Sequence, residues 1–210
     1  MFMGHYGAAF AAKAIWPETP LPALMLSTQI MDIAFCAFVG TKIEKIEITT
    51  EANPTVPIKS HFIPYSHGFE AAIVLSGLSA LLAASVYGDI SAGALWVIAL
   101  VCMSHWFIDA IVHTGDLPIG FNRYKVGFGL WNNRPAAIGL EMVVIAGGVI
   151  LLAASGAITP WKVWVIGALM FALQVYTFNA KPPDTIARLV TSMMAVFLLM
   201  IGIGVWMDAP

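Results

Sequence analysis

The sequence predicts an all-α protein, a polytopic helical transmembrane bundle of about six to seven membrane segments. Three observations predict it. Of the 210 residues, 60% are hydrophobic and 10% charged, whereas a soluble domain carries about 25% charged residues. Such a chain has too little polar surface to cover a globule in water. The apolar residues also come in runs close to the ~20 residues a helix needs to cross a bilayer. Short polar stretches separate those runs.

The elements follow in order. A short first segment, residues 4–16, is rich in Gly and Ala, and Trp16, Pro17 and Pro20 end it. A second span covers 21–40. The longest hydrophilic loop, 41–66, contains KIEKIEITTEANPTVPIKSH. Spans at 67–87 and 92–113 follow, then a second polar loop at 116–135 with FNRYKVGFGLWNNRP. The last three spans are 136–155, 161–178 and 185–207. The chain reads as a single membrane domain over 1–210, with motif-bearing residues in about 4–121 and supporting helices in about 136–207. Cys36 and Cys102 lie in apolar runs and read as buried thiols. No basic region precedes an apolar core at the start, so no removable signal peptide is expected. The formal charge of -2 carries no nucleic-acid signature. The expected partner is the lipid bilayer, and the sequence does not give an oligomeric state.

Charge orients the spans. Lys42, Lys45, Lys59, Arg123, Lys125, Arg134, Lys181 and Arg188 fall on the side of the two long loops, side A. Lys162 falls on the opposite side B, and Lys13 near the end of the first segment. Eight of ten cations on one side predict that side A is cytoplasmic, in a multi-pass protein of the cell inner membrane. If all seven segments cross, the chain starts on side A and ends on side B.

Ionisable groups within spans cost several kcal/mol each and are rare without a reason. Here they are His5, Asp32, His67, Glu70, His105, Asp109, His113 and Glu141. By position along the spans, all eight fall in the side-A half. That clustering predicts one polar site open to side A.

The stretch SHWFIDAIVHTGDLPIG, residues 104–120, is the densest part. Four residues advance a helix by ~400°, so His105 and Asp109 lie about 40° apart and roughly 6 Å along the axis. Such a pair can grip one metal ion, as His pairs at this spacing do in zinc helices. His113 lies a further turn on, about 12 Å from His105, and is expected outside that ion's shell. It suits a second ion, ligand orientation or proton transfer. Imidazole and carboxylate donors suit Zn²⁺, with Mn²⁺ or Fe²⁺ as alternatives, and such an ion is the counter-charge that buried carboxylates need. Taken singly, each residue has a blander explanation. His105 and Asp109 can form a hydrogen-bonded helix pair, and Asp32 can pair with Gln29 or Ser27. His5 can be a chain-end surface residue, Glu70 and Glu141 interface residues, and His61 a loop residue. The coincidence of His5, Asp32, His67, His105 and Asp109 points to a metal site.

The motif order GHYGAAFAA, STQIMDIAF, HFIPYSHGF and SHWFIDAIVHTGDLPIGF resembles the YdjM-like group of inner-membrane proteins, regarded as metal-dependent hydrolases. The resemblance spans residues 4–121. It matches His5 to the opening motif, Asp32 to the second helix, His67 to the third motif, with His61 as a displaced upstream histidine, and His105 and Asp109 to the His-x-x-x-Asp helix. Ser66 stands where the group has Thr, and Gly68 where it has Ser. The order is also similar to that of zinc-dependent phospholipase C and P1-type nucleases, without their second His-x-x-x-Glu pair, which implies one or two metals.

The expected function is therefore a membrane-embedded metal-dependent hydrolase with its site near the cytoplasmic face. Asp32, His67, His105 and Asp109 would hold the principal ion, with His5 joining it or a neighbour through Asp109. Glu70, His113 and Glu141 are the candidates for catalytic proton transfer. The resemblance implies a phospholipid-like phosphoester, or another lipid-derived ester, as an amphiphilic substrate. Two alternatives use the same residues: a transporter or ion-binding membrane protein, and a non-catalytic metal-stabilised membrane protein.

Overall fold

The structure, a computed structural model, describes residues 3–49, 51 and 53–209. Thr50 and Ala52 of the first polar loop lie outside the described residues. Among these residues there are seven α-helices: α1 (His5–Ile15), α2 (Leu21–Gly40), α3 (Phe69–Tyr87), α4 (Ala92–Val112), α5 (Arg134–Ser155), α6 (Pro160–Asn179) and α7 (Ile186–Asp208). Two small antiparallel hairpins join them on side A. One pairs β1 (Lys45–Ile48) with β2 (Ile58–Phe62), and the other pairs β3 (Leu117–Ile119) with β4 (Tyr124–Val126).

Local chemistry sets the helix starts. Ser91, Asn133 and Thr185 each accept a backbone N–H of the first turn with the side-chain oxygen, which satisfies a donor that the helix leaves unpaired. Pro22, Pro135 and Pro160 stand in first turns, where a missing N–H costs nothing.

Six helices, α2 to α7, are long and apolar enough to cross a membrane, and the chain is a multi-pass helical membrane bundle. The outward side chains agree. On α3, Ile73, Val74, Leu78, Leu81, Leu82 and Val86 are all exposed, an apolar surface suited to lipid and not to water.

The first segment does not make a seventh crossing. α1 has 11 residues, about 16 Å, roughly half of a ~30 Å hydrocarbon core. It begins inside the protein, where the Met3 amide donates to Gln174 Oε1 and the Gly4 amide to Glu141 Oε2, each at 3.0 Å. It then runs toward side B. Small residues let it lie against α5: a Cβ on Gly7 would stand 2.2 Å from the Val144 carbonyl oxygen, and one on Gly148 would stand 2.4 Å from the Gly7 carbonyl oxygen. The two backbones touch, and only glycine permits this at both positions. The contact fixes the height at which His5 projects.

Below that level, toward side B, Phe10, Leu24, Met25, Ile98 and Ile145 are fully buried in one apolar cluster. At the side-B end, Lys13 Nζ bonds Asp208 Oδ1 at 2.7 Å, which ties α1 to the end of α7. α6 and α7 also meet there: Trp161 stacks edge-on with Trp206 at 5.6 Å, and Lys162 Nζ donates to the Ala209 carbonyl at 2.7 Å. Elsewhere α6 packs on α5 and α7 on α2, with little contact between α6 and α7 themselves. Toward side A a cavity of about 960 Å³ lies between them and extends to the bundle centre.

Candidate metal centre

Three helices and one loop bring the side chains together. α4 supplies His105 and Asp109, α2 supplies Asp32, the loop before α3 supplies His67, and the first turn of α1 supplies His5. Each is at most 7% exposed. Asp109 is the hub. Its Oδ2 lies 3.2 Å from His105 Nε2 and 3.7 Å from His67 Nε2, and its Oδ1 lies 3.2 Å from His5 Nε2. Asp32 Oδ1 lies 3.3 Å from His67 Nε2 and 3.9 Å from His105 Nε2. The His5 and His105 rings stack 3.6 Å apart, nearly parallel.

Outer partners place a proton on Nδ1 of two of the three rings, His105 and His67. His105 Nδ1 lies 2.5 Å from the Thr28 carbonyl, which only accepts. Nδ1 therefore carries the hydrogen, and Nε2 presents a lone pair to the cluster. His67 Nδ1 lies 2.8 Å from Ser66 Oγ, whose hydroxyl is given to Glu44 Oε2 at 2.5 Å. Ser66 therefore accepts from Nδ1–H, and the His67 Nε2 lone pair also faces inward. Glu44 is held in turn by the Tyr65 and Ser66 amides, both at 2.8 Å. Outer acceptors that orient imidazoles in this way are the usual support of metal-ligating histidines.

The result is a set of acceptors facing acceptors. Imidazole nitrogens meet two carboxylates, an arrangement that a bound cation or a protonated imidazole would satisfy. Asp32 Oδ2, His105 Nε2 and both His5 ring nitrogens are buried without an aligned hydrogen bond, although His105 Nε2 and His5 Nε2 have carboxylate oxygens close by. The spacing fits a metal. Ligands ~2.0–2.2 Å from one tetrahedral ion stand about 3.3–3.6 Å from each other, and the closest approaches here are 3.2 and 3.3 Å. Two overlapping groups have this character, His5–His105–Asp109 and Asp32–His67–His105. The buried His/Asp groups are thus able to hold a metal ion. Asp109 turns one oxygen toward His5 and the other toward His67 and His105, so both groups would draw on its carboxylate.

The other sequence candidates are placed differently. His113 reaches the cluster through Asp109, four residues before it: its Nε2 is 3.8 Å from Asp109 Oδ2. α4 ends at Val112, and His113 has extended backbone angles that swing it back toward the site. The β3–β4 hairpin makes this possible. The Phe128 and Gly129 amides cap the Ala110 and His113 carbonyls at 2.8 and 2.7 Å. Gly127, at φ +149°, lets the strand pass where a Cβ would stand 2.3 Å from the His113 carbonyl oxygen. His113 Nδ1 bonds Asp116 Oδ1 at 2.7 Å, so its Nε2 also faces the cluster. Burial pushes the Asp116 carboxyl up, but the His113 bond and the imidazole charge outweigh it and hold the carboxyl below its ordinary value.

Glu141 is buried and lines the cavity, and it accepts the Gly4 amide. Glu70 is turned away. Its Oε1 accepts the Gly120 amide of the β3–β4 hairpin at 2.8 Å, and it does not line the cavity. His61 lies on β2, 3.2 Å from Glu47 on the exposed hairpin. Ser27 donates to the Ile98 carbonyl and not to Asp32.

Several supporting groups were not singled out from the sequence. Glu44 stands in the run KIEKIE, which reads as a solvated charge cluster, and the Thr28 carbonyl has no signature at all. Asp116 follows His113 by three residues, a spacing that allows contact at a helix end.

No protein-family model matches the chain, no curated protein matches it, and no solved structure matches it.

Proposed function

We propose that the chain is a membrane-embedded metal-dependent hydrolase that acts on a phospholipid-like phosphoester from the side-A leaflet. The observation that carries this reading is the convergence of imidazole lone pairs on Asp32 and Asp109, oriented from behind by Thr28, Ser66–Glu44 and Asp116. Zn²⁺ suits these donors, with Mn²⁺ and Fe²⁺ sharing them. When bound, such an ion supplies Lewis acidity and an activated water at neutral pH. The motif-order resemblance to the YdjM-like group supports the same reaction class.

The chain's own residues take distinct parts. Asp32, His67, His105 and Asp109 would hold the principal ion, with His5 on the other side of Asp109. His113 is the proton-transfer group: its Nε2 faces both the cluster and the cavity, and Asp116 keeps the proton on Nδ1. Glu141 is a positioning residue that holds the first turn of α1, and Glu70 positions the hairpin that caps α4.

The transporter alternative needs a route to side B. Directly below the cluster lie Phe10, Leu24, Met25, Ile98 and Ile145, fully buried, which favours a one-sided site. Side A carries the cation excess and is assigned to the cytoplasm of the inner membrane. A cysteine at Asn132 should react with an impermeant maleimide only after the cells are opened, and labelling of intact cells would reverse the assignment.

Purified, dialysed protein should retain stoichiometric zinc. It should release the phosphate-bearing headgroup from a short-chain phospholipid, lose that activity to a chelator and regain it with zinc. A folded protein that takes up no divalent metal would sink the centre. A metal-replete protein inert toward phosphate and carboxylic esters would leave the metal-stabilised alternative in its place.

A further inference from the structure

We propose that the gap between α6 and α7 is a lateral lipid site. One acyl chain of an anionic glycerophospholipid would lie there, with its phosphate drawn toward the His/Asp cluster from within the side-A leaflet. The site rests on the reading above for what happens to the bound lipid, but not for the binding itself.

The two helices are consecutive spans, yet they make little contact beyond their side-B ends. Bundle helices in a bilayer normally bury small residues against each other. Here large apolar side chains, Leu173, Tyr176 and Phe178 on α6 and Leu189, Met193 and Val196 on α7, line the cavity together with Gln174, Thr177 and Ser192. From Leu189 to Val196 the helix rises about 10 Å, so the apolar walls run from the interface toward the membrane centre. Tails of lipid occupy this depth, and the same cavity reaches Asp32, His67, Asp109 and His113. At about 960 Å³ it is near the top of the range for small-molecule sites.

Charge selects the lipid. The cavity lining also includes Arg134, Lys181 and Arg188, all exposed, where the side-A ends of α5, α6 and α7 meet the interface. Arg134 donates to the Phe178 carbonyl and holds the end of α6, and Arg188 pairs with Asp184 at 2.8 Å. Three cations stand over apolar walls at headgroup depth, a combination that suits a phosphodiester with tails more than a water-soluble phosphate.

The test uses the full chain in vesicles of equal phosphatidylglycerol and phosphatidylcholine. A benzophenone amino acid replaces Met193, in the gap, or Leu198, which is exposed on α7. Masses of the photo-adducts give the lipid captured. Adducts at Met193 should be enriched in phosphatidylglycerol at least about fivefold over those at Leu198. Lys181→Gln with Arg188→Gln should bring the ratio toward unity. If the Met193 variant does not assemble, Ser192 takes its place.

Equal lipid composition at both positions would overturn the proposal. So would a protein–protein adduct at Met193, which would mean that a second copy fills the gap. Zinc is measured in the same samples. Enrichment in zinc-free protein would uphold the lipid site while removing the hydrolase reading. Zinc without enrichment would remove the lipid site alone.

Discussion

Two buried ionic clusters sit in opposite halves of the bundle, and they differ in one respect. On side B, Lys13 Nζ donates to the Pro17 and Thr19 carbonyls at 2.8 and 3.0 Å and to Asp208 Oδ1 at 2.7 Å. The other Asp208 oxygen accepts the Leu21 amide at 3.0 Å. All three ammonium hydrogens and both carboxylate oxygens are used, and the charges cancel. On side A, the inward-facing ring nitrogens of His5, His67 and His105 stand 3.2 to 3.9 Å from the carboxylates of Asp32 and Asp109. The first cluster is closed and ties α1, α2 and α7. The second has the donor set of a metal site. The hydrogen-bond partners therefore distinguish the two clusters where burial alone would not, since Lys13 is as buried as Asp32.

Substitutions on the two sides should sharpen the contrast. Asp109→Asn removes the hub's charge from the side-A cluster and should weaken zinc binding at least about 100-fold, with helical content intact. His113→Gln, at the edge, should cost less. Zinc retained after dialysis reads both. Equal losses would place His113 among the principal ligands, and full retention in Asp109→Asn would remove the metal centre. Lys13→Met should do the reverse: it should cost about 3 kcal/mol of stability by stranding the Asp208 carboxylate, with zinc per folded protein unchanged. A thermal melt in detergent measures the loss, and a parallel fall in zinc would break the distinction between the clusters.

A smaller effect comes from one residue behind the cluster. Ser66→Ala removes the acceptor of His67 Nδ1–H and leaves the ring free to turn, so zinc affinity should fall about tenfold. No change would show that packing alone orients the ring. The smallest effect belongs to Glu70→Gln. The loss of one charged acceptor for the Gly120 amide should cost ~1 kcal/mol or less, and zinc binding should not move. A zinc defect there would return Glu70 to the centre.

The spans were legible because apolar runs of membrane length have few other interpretations. Asp32, His67, His105 and Asp109 were legible because a charged group within such a run is expensive, and depth along each run showed them at one level. What the chain hides is geometry at helix ends. His113 looked a full turn too far from His105; its contact in the cluster is with Asp109, four residues before it, and helical spacing does not reveal that α4 stops at Val112. α1 counted as a possible crossing until its 11 residues were set against the bilayer. Glu44 and the Thr28 carbonyl escaped notice for a different reason. Their roles are set by the fold of distant segments, and neither residue type nor spacing marks a carbonyl that accepts from an imidazole.

The apolar layer of Phe10, Leu24, Met25, Ile98 and Ile145 has an electrical consequence. A membrane potential falls chiefly across low-dielectric material, and moving one elementary charge through all of it costs ~2.3 kcal/mol per 100 mV. That layer lies between the cluster and side B, while the cavity joins the cluster to side A. Most of the voltage therefore drops below the site. On the proposed reading, a dication or a proton arriving from side A would cross little of the field, so loading and proton transfer would be nearly independent of how strongly the membrane is energised.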